Sequence, residues 1–132
     1  MELVLAVDGL PPAKNEAVSM LGPRHPHCDR VLLLLTVARS TLSSTGQDGF
    51  GLSPVGIDVC IFAPNHDLPG DATNYLGGIG DVLEDKSRRG QLVHLGDLAR
   101  VSLFHNDRQI REVRFCVREG ASYRYKVRVW TL

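Results

Sequence analysis

Apolar residues recur along the first half of the chain with two different periods, and these periods predict two strands and one helix. The apolar segment Glu2–Val7 predicts a short strand that ends before a pair of prolines, because proline has no N–H to donate. Apolar residues at helical spacing predict a helix over Cys28–Leu42, although the run Val31–Val37 is short enough to be a strand. Alternating apolar residues predict a second strand over Val55–Ala63.

The second half of the chain predicts one helix and three strands. The helix covers Asp71–Leu83, with a cap from Asp71 or Thr73, and the polar segment 84–97 predicts an exposed, irregular insertion. The three strands are Leu98–Phe104, Ile110–Arg118 and Ser122–Thr131. The short turn Glu119–Ala121 would join the last two strands as a hairpin. The order β-α-β-α-β-β-β predicts an α+β fold, with a mixed β-sheet and two helices in a single domain over residues 1–132.

Composition indicates how large a core the chain can form and in which cellular compartment the protein is expected. The 132 residues, 43% of them hydrophobic, suffice for one domain with one core. Basic and acidic residues number 15 each, so no overall charge attracts the chain to nucleic acid or to a membrane. Three distant cysteines, Cys28, Cys60 and Cys116, predict free thiols in a reducing compartment. Without a signal-peptide pattern or a membrane-length apolar run, we expect a cytoplasmic protein.

Two carboxylates at the edges of predicted elements are the simplest candidates for chemistry. Asp71 opens the second helix, and Asp107 follows the predicted strand Leu98–Phe104. Brought together by the fold, they could hold a hard divalent cation such as Mg²⁺, which prefers oxygen ligands. The alternative is structural, because Asp71 is then an ordinary helix cap and Asp107 forms an ordinary turn pair with Asn106.

Four stretches of the chain follow one another in an order that a known family shares. The first two are Leu10-Pro11-Pro12-Ala13-Lys14-Asn15 after the first strand, and the helix around Arg30–Ala38. The last two are Asp71-Ala72-Thr73-Asn74 with Asp81-Val82-Leu83, and Asn106-Asp107-Arg108-Gln109-Ile110 before two closing strands. This order resembles the RusA-type Holliday junction resolvases, which are metal-dependent endonucleases of bacteria and phages. The resemblance spans nearly the whole chain.

The resemblance implies a RusA-like fold, a homodimer, and Mg²⁺-dependent cutting of branched DNA such as a four-way junction. It implies that Asp71 and Asp107 are catalytic and bind the metal. Thr73, Asn74 and Asp81 are then supporting residues that complete or orient the site.

Three residues depart from the pattern of the family. Thr73 stands where the family has a second catalytic aspartate, and Gly77 stands where it has a catalytic lysine. Asn106 replaces the first aspartate of an aspartate pair. These departures remove one anionic ligand and one cation from the implied site, so they bear more on activity than on fold.

The C-terminal segment carries an excess of basic residues. Between Arg108 and Arg128 there are seven basic residues against two acidic ones. Basic and apolar residues alternate over Tyr123–Trp130, so a strand would place the basic ones on one face, beside basic residues of the neighbouring strand. Such a face suits a phosphate backbone, and the alternative is an ordinary solvated face. The candidate DNA-binding residues are Lys14, Asn15, Arg114, Arg124, Lys126 and Arg128.

Three glycines, Gly77, Gly78 and Gly80, lie inside the predicted second helix. Each costs about 1 kcal/mol relative to alanine in a helix, so a reason for them is expected. A frayed helix and close approach of a phosphate are alternatives, but we expect close packing of another part of the chain.

The sequence therefore predicts a magnesium-dependent, structure-selective DNA endonuclease. The first alternative is a catalytically inactive relative that still binds branched or duplex nucleic acid, and Thr73 and Gly77 favour it. The second alternative is a protein–protein adapter that uses the glycine-bearing helix. Only the adapter would show no salt-dependent affinity for DNA.

Overall fold

A four-stranded mixed β-sheet forms the centre of the structure, a computed structural model that describes residues 1–15 and 17–132. The strands are β1 (Glu2–Asp8), β2 (Val55–Ala63), β3 (Ile110–Glu119) and β4 (Arg124–Thr131). Their order in the sheet is β1-β4-β2-β3. Strand β4 is antiparallel to both of its neighbours, whereas β2 and β3 are parallel. The predicted α+β class and the mixed sheet are confirmed.

Two α-helices cover one face of this sheet, which we call the inner face. Helix α1 spans Cys28–Thr45 and α2 spans Ala72–Leu83. The apolar stripe of α1 is buried against β1 and ends where Gly46 adopts a left-handed conformation. The helical interpretation of this segment is therefore right and the strand alternative is wrong. No helix of the described residues is long and apolar enough to cross a membrane.

The predicted strand Leu98–Phe104 is wrong. The chain forms a 3-10 helix over Val93–Arg100 and then an extended segment outside the sheet. The backbone of Leu103 donates its N–H to the carbonyl of Leu83 and accepts the N–H of Phe50, both at 2.8 Å. The apolar residues of this extended segment are buried under the end of α2 and not beside another strand. Helix and loop groups form the hydrogen bonds that its backbone needs.

The predicted hairpin between β3 and β4 is also wrong, because β2 lies between them. The inward-facing residues of β4, Tyr125, Val127 and Val129, are at most 1% exposed, and β4 pairs with β1 on one side and with β2 on the other. The connection crosses the end of β2 at Gly120, whose N–H donates to the carbonyl of Ala63. Sequence alternation gave the faces of these strands correctly but not their neighbours.

The predicted insertion 84–97 is anchored by a buried lysine. The ammonium of Lys86 donates to the backbone carbonyls of Glu84 and Val101, and the residue is only 3% exposed. Burial lowers the pKa of Lys86 to about 8, because a low-dielectric surrounding disfavours the charged form. The segment is therefore irregular, as expected, but it is tied to the core rather than wholly exposed.

The loop before Asn15 packs directly on α2, which explains two of the three helix glycines. A Cβ at Gly78 would lie 2.2 Å from the carbonyl oxygen of Pro12, and one at Gly77 would lie 3.1 Å from Cδ of Lys14. A Cβ at Gly80 would meet nothing within 4 Å. The expected close packing is thus confirmed for Gly77 and Gly78 and not for Gly80.

We predict opposite effects for alanine at two glycines of the same helix. Gly78→Ala should destabilise the protein by about 1–3 kcal/mol, because the new methyl group forces the Pro12 backbone away. Gly80→Ala should be neutral or stabilising by up to about 1 kcal/mol, because the helix gains propensity without a clash. Urea unfolding of both variants measures the difference. Equal destabilisation of the two would contradict the observed packing.

Candidate functional site

Asp71 lies at the N-terminus of α2 and caps it. Its carboxylate accepts the backbone N–H of Asn74 and the hydroxyl of Thr73, both at 2.9 Å, and the side-chain amide of Asn74 at 3.3 Å. These bonds lower the pKa of Asp71, chiefly through the Asn74 N–H and then through the Thr73 hydroxyl. The structure thus brings together three predicted site residues, in an arrangement that serves the helix end.

Asp107 lies at the opposite end of α2. Its backbone N–H donates to Oε2 of Glu84, the residue that follows the last helical residue, at 3.3 Å. Asn106 caps the short 3-10 helix Asp107–Gln109, and its own N–H is bonded by the Gln109 side chain. The turn interpretation of Asn106 and Asp107 therefore describes their local structure.

Helix α2 keeps the two predicted metal ligands apart. With a rise of about 1.5 Å per residue, the path from Asp71 to Glu84 is on the order of 20 Å. Oxygen ligands of Mg²⁺ must lie about 2 Å from the ion, so both carboxylates of one chain cannot share it. Within residues 1–15 and 17–132, no group of three or more His, Cys, Asp or Glu side chains is suited to a metal. The two predicted ligands are therefore held apart within one chain, and the binding of Mg²⁺ stays a prediction of the resemblance.

Asp81 belongs to an ion-pair network near the C-terminal end of α2. Its Oδ2 lies 3.4 Å from Nζ of Lys14, and its Oδ1 lies 4.0 Å from the guanidinium of Arg89. Arg89 also bonds Glu84 at 2.8 Å. Basic side chains thus pair with both Asp81 and Glu84. Lys14, a predicted DNA contact, is held over Gly77 by this pairing.

Asn15, the other predicted DNA contact in this loop, has a local structural bond. Its side-chain oxygen accepts the N–H of Ala17 at 2.9 Å, and its backbone forms an isolated bridge with Val18. The backbone N–H of Lys14 donates to the carbonyl of Asn74 at 2.9 Å. The loop is thereby fixed against the first turn of α2, and Asn15 lies away from the basic strands.

The second face of the sheet, opposite the helices, carries the other predicted DNA contacts, and we call it the outer face. The strand registers place four residues of each strand on it. They are Glu2, Val4, Ala6 and Asp8; Arg124, Lys126, Arg128 and Trp130; Gly56, Asp58, Cys60 and Phe62; and Glu112, Arg114, Cys116 and Arg118. All except Gly56 are exposed or half-buried. The predicted basic residues of β4 share one face, as alternation requires.

The arrangement of these basic residues differs from expectation in one respect. Arg114 and Arg118 do not neighbour β4, because β2 separates the two strands. The register instead puts Asp58 between Arg114 and Arg128. Four acidic residues share the outer face with five basic ones, so positive charge is confined to part of this face.

Two arginines of the outer face lie over aromatic rings. The guanidinium of Arg124 is 4.5 Å from the centre of the Phe62 ring, and that of Arg128 is 4.8 Å from the Trp130 ring. Arg128 also donates to Glu2 at 2.8 Å, which lowers the pKa of Glu2. The other four basic residues of the outer face have no carboxylate oxygen within 4 Å in the described ranges. They are Arg114, Arg118, Arg124 and Lys126.

Three of these basic residues, Arg114, Arg118 and Lys126, line a shallow cavity that sequence reasoning missed, and the acidic Asp58 lines it with them. Its volume is about 270 Å³, and its floor includes Cys60, Cys116 and Phe62. The two thiols are free and lie opposite each other on the parallel strands. The pKa of Cys60 is raised, first by burial and then by the Cys116 thiol, while Arg118 opposes this change. Alternation within β2 could have placed Cys60 and Phe62 on this face.

Comparison with known proteins adds no assignment. No protein-family model matches the chain, and no curated protein matches it significantly.

The cap at Asp71 gives a pH-dependent prediction. Because the folded pKa of Asp71 is lowered, its contribution to stability is complete above the unfolded pKa of about 3.9. That contribution is lost as the pH falls through the folded pKa. Asp71→Ala should therefore lower the melting temperature at pH 7, and the difference from wild type should narrow below about pH 4.

Asp71→Asn is the matched control for this cap, because asparagine also caps helices but does not titrate. It should melt near the wild-type temperature at pH 7. Thermal unfolding followed by circular dichroism from pH 7 to pH 2.5 makes the comparison. If Asp71→Ala lowers the melting temperature by the same amount at pH 7 and at pH 2.5, that result would contradict the role of the charged cap.

Proposed function

We propose that the protein binds the phosphate backbone of branched or duplex nucleic acid through the outer face of its sheet. The observation that carries this proposal is the group of four basic side chains, Arg114, Arg118, Arg124 and Lys126, on a face that no helix of the described residues covers. Salt-sensitive attraction to phosphates follows from such a group even when the net charge of the chain is zero.

The aromatic residues of the outer face favour backbone contacts over base contacts. A guanidinium lies over Phe62 and another lies over Trp130, so the rings hold arginines rather than offer open faces to bases. The indole of Trp130 also packs over Gly56, where a Cβ would lie 2.2 Å from the ring. Proteins that bind single strands use open aromatic faces for stacking, which makes a paired or branched ligand the better fit.

Geometry favours the inactive relative over the endonuclease. Asp71 and Asp107 lie at opposite ends of α2, and Thr73 donates its hydroxyl to Asp71 instead of adding a carboxylate. Lys14 reaches the space over Gly77, but its ammonium pairs with Asp81. The resemblance to RusA-type resolvases supports a branched ligand, while these contacts support binding without hydrolysis by a single chain.

Binding should depend on salt and on the outer face. The wild-type protein should bind a labelled four-way junction with an affinity that falls steeply as salt rises. Arg114→Gln/Lys126→Gln should weaken binding and reduce the slope of log affinity against log salt by about one for each lost phosphate contact. Fluorescence anisotropy at about 50, 100 and 200 mM salt measures both effects.

The matched control is Arg39→Gln, which removes an exposed arginine from α1, on the side of the sheet opposite the outer face. It should leave affinity and slope unchanged. An equal loss of affinity in the control and in the double variant would indicate non-specific electrostatic attraction between the protein and the junction. Absence of any salt-dependent binding by the wild-type protein would reject the proposal and favour the adapter.

The same junction separates binding from cutting. We expect the protein to bind the junction with or without magnesium and to leave the strands intact on a denaturing gel. Magnesium-dependent cutting that Asp71→Asn abolishes, with the fold of that variant retained, would instead establish the endonuclease. In that case Asp71 would meet its metal-binding partners in an assembly of more than one chain.

A further inference from the structure

A pair of cysteines lies side by side on the outer face, where β2 meets β3. Cys60 and Cys116 are directly opposite each other in the parallel register, and both thiols are free and half-buried. Both line the shallow cavity of about 270 Å³, so small reagents can reach them from solvent. The third cysteine, Cys28, begins α1, which packs on the inner face. The sheet therefore separates Cys28 from the pair.

The spacing of the two strands suits a disulfide between these cysteines. Neighbouring strands lie about 4.8 Å apart, and a disulfide joins residues whose Cα atoms are about 4.4–6.8 Å apart. The one register shift between β2 and β3 lies at Val55 and Gly56, so the pairing is regular at Cys60. The pKa of Cys60 is raised first by burial and then by the Cys116 thiol, as expected for two neighbouring sulfurs. A bond between them requires no change of register.

Positive charge surrounds the two thiols. The guanidinium of Arg118 contacts the thiols of Cys116 and Cys60, and these contacts raise the pKa of Arg118. Nearby cations favour the thiolate, which is the reactive form of cysteine, and they attract small anions. The charged residues that line the cavity are Arg114, Arg118 and Lys126, together with the acidic Asp58. This excess of positive charge favours an acidic reagent over a neutral one.

We propose that Cys60 and Cys116 form a reversible redox site, which an acidic low-molecular-weight disulfide such as oxidised glutathione converts into a disulfide within the chain. The thiolate of one cysteine attacks the small disulfide, forms a mixed disulfide and releases one small thiolate. The thiolate of the other cysteine then attacks the protein sulfur of the mixed disulfide, forms the Cys60–Cys116 bond and releases the second small thiolate. The two protons lost by the cysteines pass to the released thiolates, and two electrons reduce the small disulfide.

The new bond would hold the edge strand β3 in place. Strand β3 is paired to the sheet through β2 alone, and residues 64–109 lie between the two strands in the chain. A bond that closes so long a loop restricts the unfolded chain and stabilises the folded one. The bond would remain half-exposed, so reducing thiols can open it again. This inference does not depend on nucleic-acid binding.

Counting thiols tests the proposal on the folded wild-type protein. After incubation with oxidised glutathione, two of the three cysteines should no longer react with a thiol reagent, and the mass should show no bound glutathione. Peptide mapping should find Cys60 joined to Cys116, and a non-reducing gel should show a single chain. The melting temperature should rise on oxidation and return to its initial value with a reductant.

Serine variants separate the two steps of the exchange. In a Cys28→Ser background, Cys60→Ser and Cys116→Ser each leave one thiol of the pair. Glutathione should therefore stay attached as a stable mixed disulfide, and oxidation should not raise the melting temperature. Cys28→Ser alone is the matched control, and it should form the disulfide as the wild-type protein does. Circular dichroism of each variant checks that the fold is retained.

A change of charge tests the preference for an acidic reagent. Arg114→Gln/Lys126→Gln should slow the reaction with oxidised glutathione several-fold, because it removes two cations from the cavity. The reaction with the uncharged disulfide of 2-mercaptoethanol should keep its rate. An equal slowing with both reagents would contradict recruitment by charge.

Three results would overturn the redox site itself. One is a folded wild-type protein whose cysteines keep all their thiols in excess oxidised glutathione. Another is a wild-type protein that retains bound glutathione to the same extent as the variants with one thiol of the pair. The third is a disulfide that maps to Cys28 or joins two chains. Each readout is made without nucleic acid, so these failures are distinct from a failure of the proposed function.

Discussion

The burial of β4 in the middle of the sheet is the interaction on which the rest of the structure depends. Its inner side chains are almost fully buried, and it pairs with β1 on one side and with β2 on the other. This placement forces β3 to the far side of β2 and leaves it as an edge. The central position of β4 thus decides which basic residues share the other face.

Helix α2 has a second architectural role as a rigid spacer. One of its ends is capped by Asp71, and the other is bound through Glu84 to the turn that holds Asp107. Three carboxylates of the helix region, those of Asp71, Asp81 and Glu84, have a partner that fixes them: a helix N-terminus, a lysine and an arginine. These three acidic residues therefore stabilise the tertiary structure, whereas four basic residues of the outer face have no carboxylate partner in the described ranges.

Sequence periodicity predicted local structure well, because the period of apolar residues depends only on which side of an element is buried. The bounds of β2 were predicted without error, and α1, α2, β1, β3 and β4 were placed within about three residues. Periodicity failed at Leu98–Phe104, where a short apolar run is equally compatible with a buried extended segment outside the sheet. It also could not say that β2, rather than β4, neighbours β3, since pairing depends on residues far apart in the chain.

The candidate site shows the same limit. Helical and strand spacing predicted that Asp71 caps a helix and that the basic residues of β4 share a face, since both are local properties. The distance between Asp71 and Asp107 depends on how the 3-10 helix and the loop after α2 return to the sheet, which no local pattern encodes. The cavity with Cys60 and Phe62 at its floor was missed because its walls come from three strands.

The parallel pairing of β2 with β3 has a consequence for how the chain acquires its structure. Parallel neighbours need a long crossover, and here residues 64–109, including α2 and the anchored insertion, must be placed before the two strands can align. Strands β1 and β4 also pair with each other, so the sheet cannot close until β4 has left the ribosome. Both features give a high contact order, so a newly made chain should fold slowly and depend on chaperones that shield its unpaired strands.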